Sequence, residues 1–218
     1  MNIQKLPYSE LTPLCEIMKE HNCDKSPIAW KKRHNYTLYY HSLFENIRDK
    51  EINFFELGLG SHNKKYEYIM HPSYKTGASV YGWRDYFPKG QIYGADIDSD
   101  ILFQEERIHT FFCDQTSPES ITDMWRKMND VNFDVILEDG LHSFDANRTF
   151  FENSHHKLKV GGVFIIEDIL RSNIESNWKN QIEQWKKKYL GYEFKIVEME
   201  TLSESYDDNN LIVIQKKK

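Results

Sequence analysis

The sequence predicts an α/β fold: a doubly wound (Rossmann-like), mostly parallel, seven-stranded sheet with a C-terminal antiparallel hairpin and a short helical N-terminal extension. Three observations predict it. From residue 52 onward, short apolar runs alternate with stretches whose apolar residues recur at helical spacing. Those runs end in an acid or a glycine. After the last helical stretch, two apolar runs follow with only a polar, turn-rich segment between them.

The elements follow in order. The runs INFFEL, QIYGADI, IHTFFCD, FDVILED and GVFIIED read as five strands. Between them lie the helical stretches ASVYGWRDYF, PESITDMWRKM, FDANRTFFENSHHKL and NIESNWKNQIEQWKKK. Strands alternating with helices make βαβ units, and hence a parallel sheet covered on both faces. YEFKIVEME and NLIVIQK, joined by TLSESYDDNN, read as the hairpin. Residues 1–50 differ in character. Their run YTLYYHSLFENIR reads as a helix, so 1–50 is a helical extension covering the cofactor or acceptor, or forming an interface, and 51–218 is the main domain.

Bulk properties bound the function. A chain of 218 residues with 39% hydrophobic content can bury one good core. Its formal net charge of -6 argues against gripping nucleic acid through phosphates. Cys15, Cys23 and Cys113 form no C-x-x-C pair. No secretory h-region and no membrane-length apolar run stands out, so a cytoplasmic protein without membrane partners is expected. The tyrosines of residues 36–40 suggest an interface for a homo-oligomer.

The strand ends carry the chemistry. FFELGLG places Glu56, Gly58 and Gly60 after the first strand, where glycines allow a tight turn and close approach to a ligand. A dinucleotide fingerprint needs a third glycine, but that position is Asn63, which weakens a pyrophosphate reading and NAD-dependent redox chemistry with it. An E-x-G-x-G loop instead suits the amino-acid end of S-adenosylmethionine (SAM). Asp96 ends the second strand where a carboxylate meets ribose hydroxyls, and Asp114 with Gln115 ends the third where adenine would lie.

FDVILEDGLH raises a separate question, because a buried strand ends there in Glu138-Asp139, turns on Gly140 and presents His142. GVFIIEDI likewise closes on Glu167-Asp168. Neighbouring strands lie about 4.8 Å apart, so these acids can converge on one point. Crowded acids repel unless a cation, a proton or a positive partner sits between them. A Mg²⁺-type ion bound through oxygens at about 2.1 Å would resolve the conflict; helix caps or lysines are the metal-free alternative. Successive strand residues face opposite ways, so four acids cannot all be ligands without a backbone break; Gly140 supplies one after Asp139, which favours Asp139, Glu167 and Asp168 as metal ligands and leaves Glu138 to structure or the cofactor. His142, with an ordinary pKa of about 6.5, is placed to accept an alcohol proton, with Asp139 beside it as a catalytic residue. His155-His156 read as solvated or structural.

Residues 52 to about 170 resemble bacterial class I SAM-dependent sugar O-methyltransferases. They are similar in particular to the metal-dependent enzymes that methylate macrolide sugars, and to related proteins encoded among surface-polysaccharide genes. The matching stretches are ELGLG, GASVYGWRDYFPKGQIYGADID, EDGLH and LKVGGVFIIEDI. The resemblance implies SAM contacts at Glu56, Gly58, Asp96, Asp114 and Gln115, a metal held by the acids of EDGLH and IIEDI, and a base at His142. CDKSPIAWKKRHNYTLYY also resembles an N-terminal element of these proteins, in which Asp24, Lys25, His34 and Tyr36 recur near cofactor or acceptor. Three departures stand out. Cys23 replaces the usual serine, E-D-G-L-H replaces D-D-G-S-H, and only about fifty residues precede the first strand.

The expectation is therefore methyl transfer to a hydroxyl of a small sugar or sugar nucleotide, for surface polysaccharide or a glycosylated metabolite. The alternatives are a metal-independent methyltransferase acting on an amine or other small acceptor, and a non-catalytic SAM- or nucleotide-binding partner of a polysaccharide assembly complex. The long segment 61–76 reads as a lid, and its lysines as solvated charges.

Overall fold

The seven apolar runs form strands, and the sheet is wider than seven. A computed structural model describes residues 2–7, 9–29, 34–66, 70–71, 73–200 and 207–218. The strands are β1 (Asn2–Leu6), β2 (Asn53–Leu57), β3 (Gln91–Asp96), β4 (Gln104–Glu105), β5 (Ile108–Phe112), β6 (Phe133–Glu138), β7 (Leu158–Ile166), β8 (Tyr192–Met199) and β9 (Asn210–Lys216). They lie in the order β1-β8-β9-β7-β6-β2-β3-β5-β4.

Two strands were not expected. β4 is a two-residue antiparallel edge on β5. β1 belongs to the extension, which is therefore not purely helical. It pairs in parallel with β8, Asn2 opposite Lys195 through Leu6 opposite Met199. The physical reason is that β8 would otherwise end the sheet as an eight-residue row of unpaired backbone groups.

β2, β3, β5, β6 and β7 are parallel, and β9 inserts antiparallel between β7 and β8. The expected hairpin is thus present, although residues 201–206 of its connection lie outside the described residues. From β2 the chain steps outward through β3 and β5, then returns to the other side through β6 and β7. The reversal leaves a crevice at the carboxyl ends of β2 and β6, the place where open α/β sheets bind ligands.

The helices are α1 (Pro13–Glu20), α2 (Tyr36–Phe44), α3 (Ala78–Tyr86), α4 (Pro118–Lys127), α5 (Phe144–Ser154), α6 (Arg171–Asn173) and α7 (Lys179–Lys188), with a π-helical turn Ile174–Trp178 joining the last two. They cover both faces. On one side Met18, Tyr40, Phe44 and Trp83 pack against Phe54 and Val135. On the other, Trp125, Phe150, Trp178 and Trp185 pack against Phe55 and Ile136. Adjacent strand residues thus serve opposite cores, as the period of two requires.

Helices α1 and α2 of the extension share the first of these cores. Tyr36 and Tyr40 are fully buried in it and Tyr39 nearly so. An interface between copies is therefore not built from these tyrosines, because intrachain packing has already consumed their surface.

His155 closes α5 and packs on Tyr189, with ring centroids 4.6 Å apart, while its Nδ1 lies 3.0 Å from the Tyr192 hydroxyl. Burial first, then His156, Lys216 and Lys188, lower its pKa from 6.5 to about 4. A base whose pKa is depressed on folding adds stability that is present above about pH 6.5 and is lost as pH falls through about 4. His155→Gln should therefore lose less stability than the parent protein between those two pH values, measured by urea denaturation. Parallel losses would show that His155 does not titrate as its surroundings dictate.

Candidate active site

The ends of β2 and β6 press directly on each other. Gly58 turns the chain with φ +97°, and a Cβ there would fall 2.0 Å from the Asp139 carbonyl oxygen. Asp139 N donates to Leu57 O at 3.0 Å, so the two turns are also hydrogen-bonded. Gly58 is thus required by the neighbouring strand end. A Cβ on Gly140 would meet Gln115 Oε1 at 1.8 Å, and that same oxygen accepts from Leu141 N at 2.6 Å.

Above these turns lies a cavity of about 550 Å³. Its walls include Gly58, Gly60, Asp96, Asp114 and Gln115 together with Asp139, His142, Asp168, Asp24, Leu170 and Asp208. Asp96 is held firmly: Oδ2 accepts from Leu59 N at 2.8 Å and Oδ1 from Asp98 N at 2.9 Å. Asp114 accepts from Thr116 N and from the Thr116 hydroxyl. Among the described residues of segment 61–76, Lys65, Tyr66, Met70 and Tyr74 also line the cavity. The lid expected of this segment falls partly on residues 67–69 and 72, outside the described residues.

Three of the acids singled out from the sequence are not on the cavity wall. Glu56 is fully buried beneath it, with Oε2 accepting from Trp83 Nε1 at 3.1 Å. Burial raises its pKa to about 7, against the opposing pull of Lys25. Glu138, also fully buried, accepts from Gln115 Nε2 at 3.0 Å and Gly140 N at 3.1 Å. Burial raises it to about 7 as well, against the pull of His142 and those two donors. Glu138 thus pins the turn from below, a structural part.

Glu167 is the third. It is 1% exposed, with one oxygen on Lys25 and the other accepting from the Tyr40 hydroxyl at 2.5 Å. It does not stand among the metal-ligating groups that converge; Asp139, His142 and Asp168 do, with ligand atoms all within 4.8 Å of one another. Of the expected set of Asp139, Glu167 and Asp168, the first and last stand in this group. The physical reason is the ammonium that claims Glu167 first.

That ammonium is Lys25, 2% exposed. It ion-pairs with Asp139 Oδ2 and Glu167 Oε2, and lies 3.3 Å from Glu56 Oε1. Burial alone would lower its pKa, but Asp139, Glu167 and Glu56 outweigh burial and raise it well above the ordinary value. It is the positive partner that the crowded acids need. The sequence placed Lys25 near cofactor or acceptor only through resemblance, and nothing in its spacing indicated three carboxylates from three strands.

His142 and Asp168 both have left-handed backbones, φ 54° and 55°. Non-glycine residues adopt this conformation only where the surroundings enforce it. His142 Nε2 lies 3.9 Å from Asp139 Oδ1 and 3.6 Å from Asp168 Oδ2. Burial lowers its pKa, but Asp168, Asp139 and Glu138 outweigh burial and the net shift is upward. Asp168 Oδ1 accepts from the Tyr36 hydroxyl at 2.7 Å and faces His34 Nε2 at 3.7 Å. Two carboxylates and an imidazole at the cavity wall fit a divalent cation.

The sheet order, the glycine turn and the acids at successive strand ends together define the class I methyltransferase fold. The MycE methyltransferase from the mycinamycin biosynthetic pathway, in complex with Mg, SAH and mycinamycin VI, superimposes with a TM-score of 0.67 at 25% identity, over 95% of this chain and 55% of that one.

Among curated proteins, the chain is 30% identical over 159 residues to the 8-demethyl-8-alpha-L-rhamnosyl tetracenomycin-C 2'-O-methyltransferase of Streptomyces olivaceus, covering 73% of this chain and 38% of that protein. It is 31% identical over 140 residues to the demethylmacrocin O-methyltransferase of Streptomyces fradiae, covering 64% and 33%. It is 32% identical over 136 residues to the mycinamicin VI 2''-O-methyltransferase of Micromonospora griseorubida, covering 62% and 32%. The chain's relatives are thus sugar O-methyltransferases, as the resemblance in the sequence implied. These matches span well under half the length of the curated relatives. No family model matches the chain.

The contact between turns yields a test of the site's foundation. Gly58→Ala should lower the thermal midpoint and abolish SAH binding, measured by scanning fluorimetry and calorimetry. Unchanged values in both would refute the contact between Gly58 and Asp139.

Proposed function

We propose that this chain is a SAM-dependent O-methyltransferase acting on a hydroxyl of a sugar or sugar nucleotide, and that it uses a divalent cation. The observation that carries the reading is the convergence of Asp139, His142 and Asp168 on a cavity that the glycine turn, Asp96 and Asp114 also line. Relatives named as O-methyltransferases of glycosylated products, and the Mg- and SAH-bound structure with this fold, support it. Biosynthesis of a surface polysaccharide or a glycosylated metabolite is the setting proposed.

In this reading Gly58, Gly60, Asp96, Asp114 and Gln115 hold SAM, and the acceptor sits at the other end against Asp139, His142 and Asp168. Asp139 and Asp168 would hold the cation, which when bound supplies a Lewis acid that lowers the pKa of an acceptor hydroxyl. His142 takes the hydroxyl proton at Nε2, the nitrogen turned toward the two carboxylates. The acceptor oxygen forms its bond to the methyl carbon as the carbon–sulfur bond of SAM breaks. A sulfonium is already activated, so positioning supplies most of the rate. The buried acids Glu56, Glu138 and Glu167 hold the strand ends and touch neither reactant.

A second reading has one specific observation in its favour: the His142 ring nitrogen lies close enough to both carboxylates to be a third ligand. His142→Ala separates the two. If His142 is the base, turnover should fall by about 10²-fold or more while SAH and Mn²⁺ affinities stay within a few-fold. Loss of Mn²⁺ affinity alongside turnover would make it a ligand.

EDTA should abolish methyl transfer from labelled SAM to a sugar and sugar-nucleotide panel, and Mg²⁺ should restore it. Full activity in chelator would remove the metal from the proposal. SAM binding without transfer to any acceptor would favour a non-catalytic role.

A further inference from the structure

Asp139 has its two oxygens in different surroundings. Oδ2 is held by the Lys25 ammonium, while Oδ1 faces His142 Nε2 at 3.9 Å. One carboxylate is therefore shared between a buried cation and the cluster to which the proposed function assigns a divalent ion. Lys25 belongs to the segment between α1 and α2, so its charge is delivered to the sheet from outside it.

We propose that Lys25 is the resident cation of this site: it holds Asp139 and Glu167 in place, and its charge weakens divalent binding at Asp139 and Asp168, keeping the ion exchangeable. The inference rests on the metal reading given above and deepens it.

Two effects of Lys25 oppose each other, and their relative size decides the sign. Holding Asp139 favours metal binding by preorganising a ligand. Asp139 is also fixed through its backbone, because Asp139 N donates to Leu57 O and its carbonyl packs on the Gly58 turn. Little preorganisation is therefore lost without the lysine. The repulsion is larger. An ammonium and a divalent ion on opposite sides of one carboxylate repel at short range, and burial weakens solvent screening of that repulsion. Removing Lys25 also frees the half-buried Asp139 Oδ2 and the buried Glu167 Oε2, two oxygens that then demand a cation.

Lys25→Met keeps an unbranched side chain, one atom shorter, and removes the charge. In Mn²⁺ titrations followed by electron paramagnetic resonance, the variant should bind at least about tenfold tighter than the parent protein. Its thermal midpoint, lowered without metal, should recover with Mg²⁺ by more than the parent's rises. A merely structural lysine would not tighten a metal site when removed.

Equal or weaker Mn²⁺ affinity in the variant overturns the inference and leaves the metal reading standing. Binding by neither protein overturns both. Binding by the variant alone upholds Lys25 as the competing cation and removes the divalent ion from the parent's mechanism. Should Lys25→Met fail to fold even with Mg²⁺, the parent protein labelled with ¹⁵N-lysine provides the test. Its Lys25 ammonium resonance should shift on Mg²⁺ addition, and a resonance unmoved at saturating Mg²⁺ overturns the inference.

Discussion

One buried ammonium makes the end of this sheet possible. Glu56, Asp139 and Glu167 come from three adjacent strand ends, and Lys25 contacts all three carboxylates. Without it, ionised acids at 0% and 1% exposure would face one another in a low-dielectric setting. With it, each acid has a partner, and the aromatic donors Trp83 and Tyr40 take the second oxygens of Glu56 and Glu167. The extension thus completes the site electrostatically as well as sterically.

A second constraint acts through the backbone. The turn at Gly58 and the carbonyl of Asp139 are in contact, so the glycine-bearing loop and the acid-bearing loop are packed on each other. Glu138 pins the second of these loops from below, through Gly140 and Gln115. Left-handed backbones at His142 and Asp168 then aim both side chains into the cavity.

Much of the fold was legible in the chain. The alternation of apolar runs and helical stretches foretold the five parallel strands, the hairpin and the two helical layers, because period and polarity are local properties. β1 was not legible: five residues of mixed polarity become a strand only because β8 presents an open edge to them. The acids of EDGLH and IIEDI were legible as a cluster. Which of them line the cavity was not, since Glu167 and Asp168 are neighbours whose fates diverge on Lys25 and Tyr36.

By itself, then, the sequence determined the element order, the turns that need glycine and the gathering of acids at one edge of a parallel sheet. These depend on short-range sterics and hydrophobic period, which each stretch carries within itself. The tertiary structure alone decided which acids became buried supports and which stayed open to a ligand. That division depends on Lys25, Tyr36 and Tyr40, more than a hundred residues away in the chain, reaching particular oxygens. Electrostatic pairing is a property of positions in space, and no local pattern encodes it.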